Sequence, residues 1–400
     1  MKAQGTRSLH PGVMPMSESI TPESLRIVLA DPHSTGGGQV RYVVILAQEL
    51  SRRGHEVTVA CREHSLLERL TRGGGVRFLF LECPRGLKPV AWSRDLSRCA
   101  NYLREHRPHV LHVNGSQDHW LFAMTNQRLG HPCALVRSRH NTYSVASHVF
   151  NRILNRKWTD WQILVGPALK PLYEGHPVFD ADRMTVVQNG VDVDRFRPDP
   201  EKRQQARRDF GFSGQDIVCG IVARLTPAKG HRYLLEAVAR LKETLPKLRV
   251  LVLGIGELES ELKALADRLG LSDRVIFAGY REDMDFCVHA MDFGVQPSVG
   301  TEIAPFSVLE LMAAGIPLVV SDYGGLPYAV TDGEDGLIVP NGVVEPLAEA
   351  IRRLATDAVF RRVLGERARE RVVRCASLET FVQGTVAVYR SALARIKRKG

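Results

Sequence analysis

Residues 299–325 read VGTEIAPFSVLELMAAGIPLVVSDYGG. A loop runs into apolar positions at helical spacing from Phe306, and PLVVSD then supplies a short β-branched run. DFGVQPS, immediately before the quoted stretch, is another such run. Strand, loop, helix and strand over residues 292–322 make a βαβ unit. Runs this continuously apolar suit strands buried on both faces, as in a parallel sheet covered by helices.

The pattern repeats outward. Towards the N-terminus QDIVCGIVARL, LRVLVLG and RVIFAGY are further buried runs. Helices are predicted at 230–245, 257–270, 306–314 and 343–355. Earlier still, LRIVLA at 25–30 meets Gly36, Gly37 and Gly38, then QVRYVVILAQELSRRGHEVTVA reads as helix, turn and second strand. VRFLFLEC, PHVLHVNG and CALVRSRH continue that series. The alternation therefore starts twice, which predicts two doubly wound α/β halves facing a cleft. The chain's 400 residues exceed what one hydrophobic core usually serves. The expected division is a flexible leader at 1–24, an N-terminal domain at 25–190, a C-terminal domain at 191–380, and a crossover helix with a basic tail at 381–400 that returns to the N-terminal half. The turn-rich QNGVDVDRFRPDPEK places the linker near 188–205.

Composition excludes several classes. No run approaches the roughly 20 apolar residues that span a bilayer, and the polar N-terminus lacks a signal-peptide core. A cytoplasmic protein is expected. The seven cysteines have no paired close spacing, so neither a disulfide framework nor a zinc site is implied. Of the totals of 54 Lys+Arg and 44 Asp+Glu, residues 1–190 carry 24 and 15, leaving 30 and 29 for residues 191–400. The positive excess thus sits in the N-terminal half. It suits an anionic acceptor or the inner face of an anionic membrane, and equally a solvated basic surface without a partner. Nucleic acid is not an expected partner.

The chemistry-bearing residues follow from position. Pro305 suits the first turn of a helix, and the backbone N–H groups there, with the helix dipole, are suited to holding a diphosphate. Ala304, Pro305, Phe306 and Ser307 line that terminus. Glu310, one turn in, is placed to accept two ribose hydroxyls, and Glu302 on the preceding loop to reach a sugar just beyond the phosphates. As a bare pair, two glutamates at this spacing more often describe a solvated helix face. A second loop in GIVARLTPAKGHRYLLEAV carries Arg224 and Lys229 at the carboxyl end of a strand, where open α/β sheets bind ligands. Two cations there would neutralise a departing diphosphate. Gly254 and Gly256 form a glycine turn at another strand end. Asp192–Asp194 and Asp283–Asp285 both spell DxD, a metal-binding signature elsewhere, but neither follows the N-terminal strands, and both read as turn or cap residues.

Together these features resemble family 4 of the retaining glycosyltransferases, with the two-Rossmann GT-B fold, over nearly the whole chain after the leader. The resemblance rests on Gly36–Gly38, on Asn189-Gly190-Val191-Asp192, on the Arg224–Lys229 pair, on Glu302 and Glu310 eight positions apart, and on Gly324, Gly325, Asp332, Gly333 and Gly336. It implies a UDP- or GDP-sugar donor as co-substrate with no metal cofactor. It assigns Gly37, Gly38, Gly254 and the 304–307 turn to donor binding, Arg224 and Lys229 to the diphosphate, Glu310 to the ribose, Glu302 to the donor sugar and His140 to the reacting centre. RSRHNT, at 137–142, and the basic stretch NRILNRKWTDW look similar to enzymes building lipopolysaccharide core or other envelope glycans, hence a glycan or lipid-linked acceptor. Where many members have glycine after the first glutamate, this chain has Ile303, which cannot adopt a positive φ. Two other readings stay open: a nucleotide-sugar epimerase or hydrolase of the same fold, and a non-enzymatic basic module for anionic polymers.

Overall fold

The computed structural model describes residues 23–34, 36–84, 86 and 88–397. Most of the expected leader and the last three residues of the basic tail lie outside them. Among the described residues thirteen strands form two all-parallel sheets. The first holds β1 (Arg26–Ala30), β2 (Glu56–Cys61), β3 (Arg77–Phe80), β4 (Val110–Val113), β5 (Ala134–Arg139), β6 (Trp161–Leu164) and β7 (Met184–Val186), in the order β3-β2-β1-β4-β5-β6-β7. The second holds β8 (Ile217–Val222), β9 (Leu248–Leu253), β10 (Val275–Phe277), β11 (Phe293–Gln296), β12 (Leu318–Ser321) and β13 (Leu337–Val339), in the order β10-β9-β8-β11-β12-β13.

In both sheets the strand order reverses in the middle, between β1 and β4 and between β8 and β11. Helices leave opposite faces there, so the loops after those strands diverge and open a crevice. The loops after β1 and β4 carry Gly36–Gly38 and Asn114. Those after β8 and β11 carry Arg224–Lys229 and Ser298–Glu302. The topology itself thus selects the loops that hold most of the candidate residues.

The chain crosses between the halves twice, side by side. Val191 bridges Ser377, with Val191 N–H donating to the Ala376 carbonyl at 2.9 Å and Leu378 N–H to that of Val191 at 3.1 Å. Gly190 lies so close to Phe381 that a Cβ would sit 2.6 Å from the phenylalanine's own. The C-terminal helix Leu378–Lys397 buries Phe381, Val382, Thr385, Val388, Tyr389 and Ala392. This is one stripe at helical spacing, and it completes the core of the N-terminal sheet. The helix is anchored by a buried polar chain: Tyr389 hydroxyl to His112 Nδ1 at 2.7 Å, His112 Nε2 to Ser138 Oγ at 2.7 Å, and Ser138 Oγ to Tyr42 hydroxyl at 3.1 Å. The crossover helix begins at Leu378, three residues before its expected start. No described helix is long and apolar enough to cross a membrane.

Candidate functional site

The helix Phe306–Ala313 follows the loop after β11. Pro305 is its N-cap, with extended ψ of 121°, and so stands one position before the first turn expected from the sequence. The N–H groups of Phe306, Ser307 and Val308 open the helix and by position have no intrahelical acceptor. Glu302 is buried on the preceding loop, where Lys229 Nζ donates to its Oε2 at 2.8 Å and to the Thr301 carbonyl at 3.2 Å. Ser298 Oγ donates to the same Oε2 at 2.8 Å and Gln296 Nε2 at 3.3 Å. The loop after β8 and the loop after β11 therefore meet at one carboxylate.

Glycines allow the loop to lie where it does. A Cβ on Gly325 would fall 1.7 Å from the Ile303 carbonyl oxygen, and one on Gly324, at φ +61°, 2.1 Å from that of Glu302. The positive φ in the loop falls at Thr301, at +43°. Ile303 turns into the hydrophobic cluster of the N-terminal sheet, together with Phe306. The loop thus takes a path that needs no glycine after Glu302. Asn189 Nδ2 donates to the Ala304 carbonyl at 2.8 Å, so the NGVD stretch holds the same turn from the linker side.

Arg224 is exposed on the loop after β8, beside the Gly254–Gly256 turn. Leu225 N–H donates to the Ile255 carbonyl at 3.1 Å, and a Cβ on Gly254, at φ +140°, would sit 2.0 Å from the Ala223 oxygen. Arg224 makes no ion pair among the described residues; it shares the loop after β8 with Lys229 but takes no part in the Lys229–Glu302 contact.

One helix of the N-terminal half, Gly38–Arg52, ties the two sides together. Its N-terminus follows Gly37. Its Arg41 pairs with Glu310, which is buried, and lies 4.8 Å over the Phe306 ring. Burial pushes the Glu310 carboxyl above its usual range, and Arg41 partly opposes this. The next residue, Tyr42, meets His140 edge-on at 4.7 Å between ring centroids. His140 follows β5, and its Nε2 lies 2.8 Å from Asn114 Oδ1. Because Asn114 Nδ2 donates to the Ala30 carbonyl, its Oδ1 must accept, which places the proton on Nε2 and leaves Nδ1 as the basic nitrogen. Burial first, and Arg137 second, hold this imidazole neutral, with its pKa well below 6.5.

The two DxD sequences serve the fold. Asp192 Oδ1 accepts from the N–H groups of Asp194 and Arg195, Asp283 pairs with Arg281, and Asp285 pairs with Arg195 and Lys202.

Comparison with known families matches residues 36–195 to Glycosyltransferase Family 4 and residues 202–371 to Glycosyl transferases group 1. The chain belongs to glycosyltransferase family 4. It is 35% identical over 223 residues to the D-inositol 3-phosphate glycosyltransferase of Mycobacterium marinum, covering 54% of this chain and 46% of that protein. It is 31% identical over 212 residues to a GDP-mannose-dependent monoacylated alpha-(1-6)-phosphatidylinositol monomannoside mannosyltransferase of Corynebacterium glutamicum, covering 51% and 54%. The match thus spans about half the length of each relative. The crystal structure of Anabaena HepE in complex with UDP superposes with a TM-score of 0.80 at 20% identity, covering 92% of this chain and all of that one, which establishes the GT-B fold.

The structure brings Lys229 and Glu302 into contact and joins Glu310 to the N-terminal half. It leaves His140 and Arg224 without direct contact to either glutamate. Sequence reasoning missed Arg41, Gln296, Ser298 and Asn114. Gln296 and Ser298 lie six and four residues before Glu302 in a recognisable strand end, but nothing local marks Arg41 or Asn114.

Proposed function

We propose that this glycosyltransferase moves a hexose-type sugar, with retention and without a metal, from a UDP- or GDP-sugar to a glycan or lipid-linked acceptor. Envelope glycans such as lipopolysaccharide core are the acceptor class the sequence favours, met in the cytoplasm or at the inner membrane face. The reading is carried by the Lys229–Glu302 contact beside the helix terminus at Phe306. A cation for the departing diphosphate and a carboxylate for the sugar hydroxyls are needed next to each other, because the bond between sugar and phosphate is the one that breaks. Glu310, one turn inside the helix, suits the ribose hydroxyls at the other end of the diphosphate.

Among the described residues no carboxylate stands as an evident nucleophile, and double displacement needs a carboxylate pair about 5 Å apart flanking the bond. A front-face reaction fits better. The glycosidic bond to phosphate loosens towards an oxocarbenium-like state, the leaving phosphate oxygen takes the acceptor's hydroxyl proton, and that hydroxyl oxygen bonds the anomeric carbon on the same face. Lys229, Arg224 and the helix terminus stabilise the negative charge that grows on the diphosphate.

Calorimetric titration of UDP and of GDP, each with chelator present, tests the donor site. One nucleotide is expected to bind, and Glu310→Ala to weaken it at least tenfold; binding of neither would overturn the reading. Product NMR checks retention, and an inverted linkage would exclude the front-face route. Donor turnover without acceptor would instead favour an epimerase or hydrolase.

A further inference from the structure

Behind His140 the N-terminal half contains a cavity of about 240 Å³, bounded by the first turns of the helix Ser116–Arg128, the end of β5 and the 140–155 segment. Arg137, Arg139, His119, Trp120, Asn155 and Tyr173 are among its walls, and no wall residue is an aspartate or glutamate. Arg137 is 5% exposed, and its Nε has no hydrogen-bond partner among the described residues. Its Nη1 donates to the Gly115 carbonyl, and the Asp118 carboxylate stands 4.0 Å away. That carboxylate is already committed to the backbone N–H groups of Asn114, Gly115 and His119.

Arg139 has no carboxylate partner among the described residues. Its Nε donates to Gln162 Oε1 at 3.1 Å and its Nη2 to Asn155 Oδ1, both neutral amides. The guanidinium also lies 4.9 Å from the Phe179 ring centre and 5.6 Å from that of Tyr173. Burial, then Arg137, pulls its pKa down to about 9. A buried guanidinium held by neutral groups is costly, because Coulombic attraction must repay the lost hydration. Two guanidiniums sharing one wall, with a planar array of donors and neutral amides around them, form a fork that matches a phosphate or carboxylate.

We propose that this cavity is the acceptor subsite, and that it takes an anionic group, a phosphate monoester or a carboxylate, carried by the acceptor itself. The inference rests on the glycosyltransferase reading above, which puts His140 beside the reacting centre. The volume is below that of a typical whole-ligand pocket and suits one charged group with the carbons next to it. An anion bound at Arg137 and Arg139 would hold the acceptor by its charged end and leave its hydroxyl near His140. The N-terminal positive excess acquires a local purpose: it steers such an acceptor towards the cleft.

Calorimetry with inorganic phosphate, glycerol 3-phosphate and glycerol tests this. Phosphate and glycerol 3-phosphate are expected to bind competitively, and glycerol not at all. Gln162→Glu replaces the amide behind Arg139 with a carboxylate outside the cavity wall, so the guanidinium is neutralised from within the protein. This variant is expected to melt no lower than the parent, keep its nucleotide affinity and bind both phosphates at least tenfold more weakly. Lys229→Ala, which alters the donor loop, is expected to leave phosphate binding unchanged. Failure of phosphate to bind, or equal binding by Gln162→Glu, would overturn the proposal. So would loss of binding in Lys229→Ala, which would locate the anion on the donor side. Phosphate binding without competition from glycerol 3-phosphate would mean a site for a free ion. If phosphate binds here while neither UDP nor GDP binds, the anion site stands and its assignment to an acceptor falls with the donor reading.

Discussion

The pairing of Arg41 with Glu310 gives the donor-side carboxylate a pH dependence whose direction can be worked out. Burial raises the Glu310 pKa and Arg41 lowers it. In the proposed donor site ribose hydroxyls would donate to the ionised carboxylate, so nucleotide affinity should fall as pH falls through that pKa. Removing Arg41 removes the opposing influence and moves the fall to higher pH. In a titration series from pH 8 to pH 5, Arg41→Ala should therefore lose nucleotide affinity at a higher pH than the parent. Identical profiles would show that Arg41 does not govern the carboxylate. Glu302 and Lys229 were legible in the sequence because they sit at strand ends beside glycines, where a loop facing a crevice is the simplest reading. Arg41, Arg137 and Arg139 were not. An arginine in a helix or at a strand end reads by default as a solvated cation, and only tertiary packing shows that Arg137 is buried and Arg139 boxed by neutral amides.

Among the elements, the loop between β11 and its helix is the least forgiving. Its carbonyls at Glu302 and Ile303 press on Gly324 and Gly325, and Gly325 N–H donates to the Glu302 carbonyl at 2.9 Å. Gly325 itself has an ordinary φ of −88°, so its requirement is space and not backbone freedom. Gly325→Ala must displace the Ile303 carbonyl, and overpacking of this kind costs about 1–3 kcal/mol. Urea denaturation should register that loss, and nucleotide binding should weaken with it because Glu302 moves. Full stability with full binding would mean the loop relaxes freely. Strands and helices of this region were readable from periodicity to within a few residues: the helix expected at 306–314 spans Phe306–Ala313. The loop path was not readable. Ile303 identified a position that could not bend like glycine, but where the bend went instead, Thr301, depends on Ile303 finding a place in the core of the other half.

At the scale of the molecule the two halves share a core and differ in how they meet acid. The imidazoles whose pKa burial lowers concentrate in the N-terminal half. Burial drives the pKa of His112 down to about 3 and that of His119 well below 6.5. In the C-terminal half His231 is held at about 4 by burial and by Lys229. For a histidine whose folded pKa is depressed, the unfolded chain binds the proton first. Stability is therefore intact above about pH 6.5 and declines as pH falls towards the folded value. At pH 5 the fully buried His112 costs of order 2 kcal/mol, and His119 adds to the loss in the same direction. Asp118, whose carboxyl burial pushes up, acts in the opposite sense in the same half, and Glu310 does so in the other. The network that binds His112 to Tyr389 also makes the C-terminal helix a dependant of the N-terminal core. The four tryptophans, Trp92, Trp120, Trp158 and Trp161, all lie in the N-terminal half. Their fluorescence therefore reports that half, whereas far-ultraviolet circular dichroism reports both. In thermal melts the two signals should coincide at pH 7.5, and at pH 5 the fluorescence midpoint should fall below the dichroism midpoint. Coincident midpoints at both values would mean that the doubled crossing at Val191 and Ser377 makes the halves unfold as one.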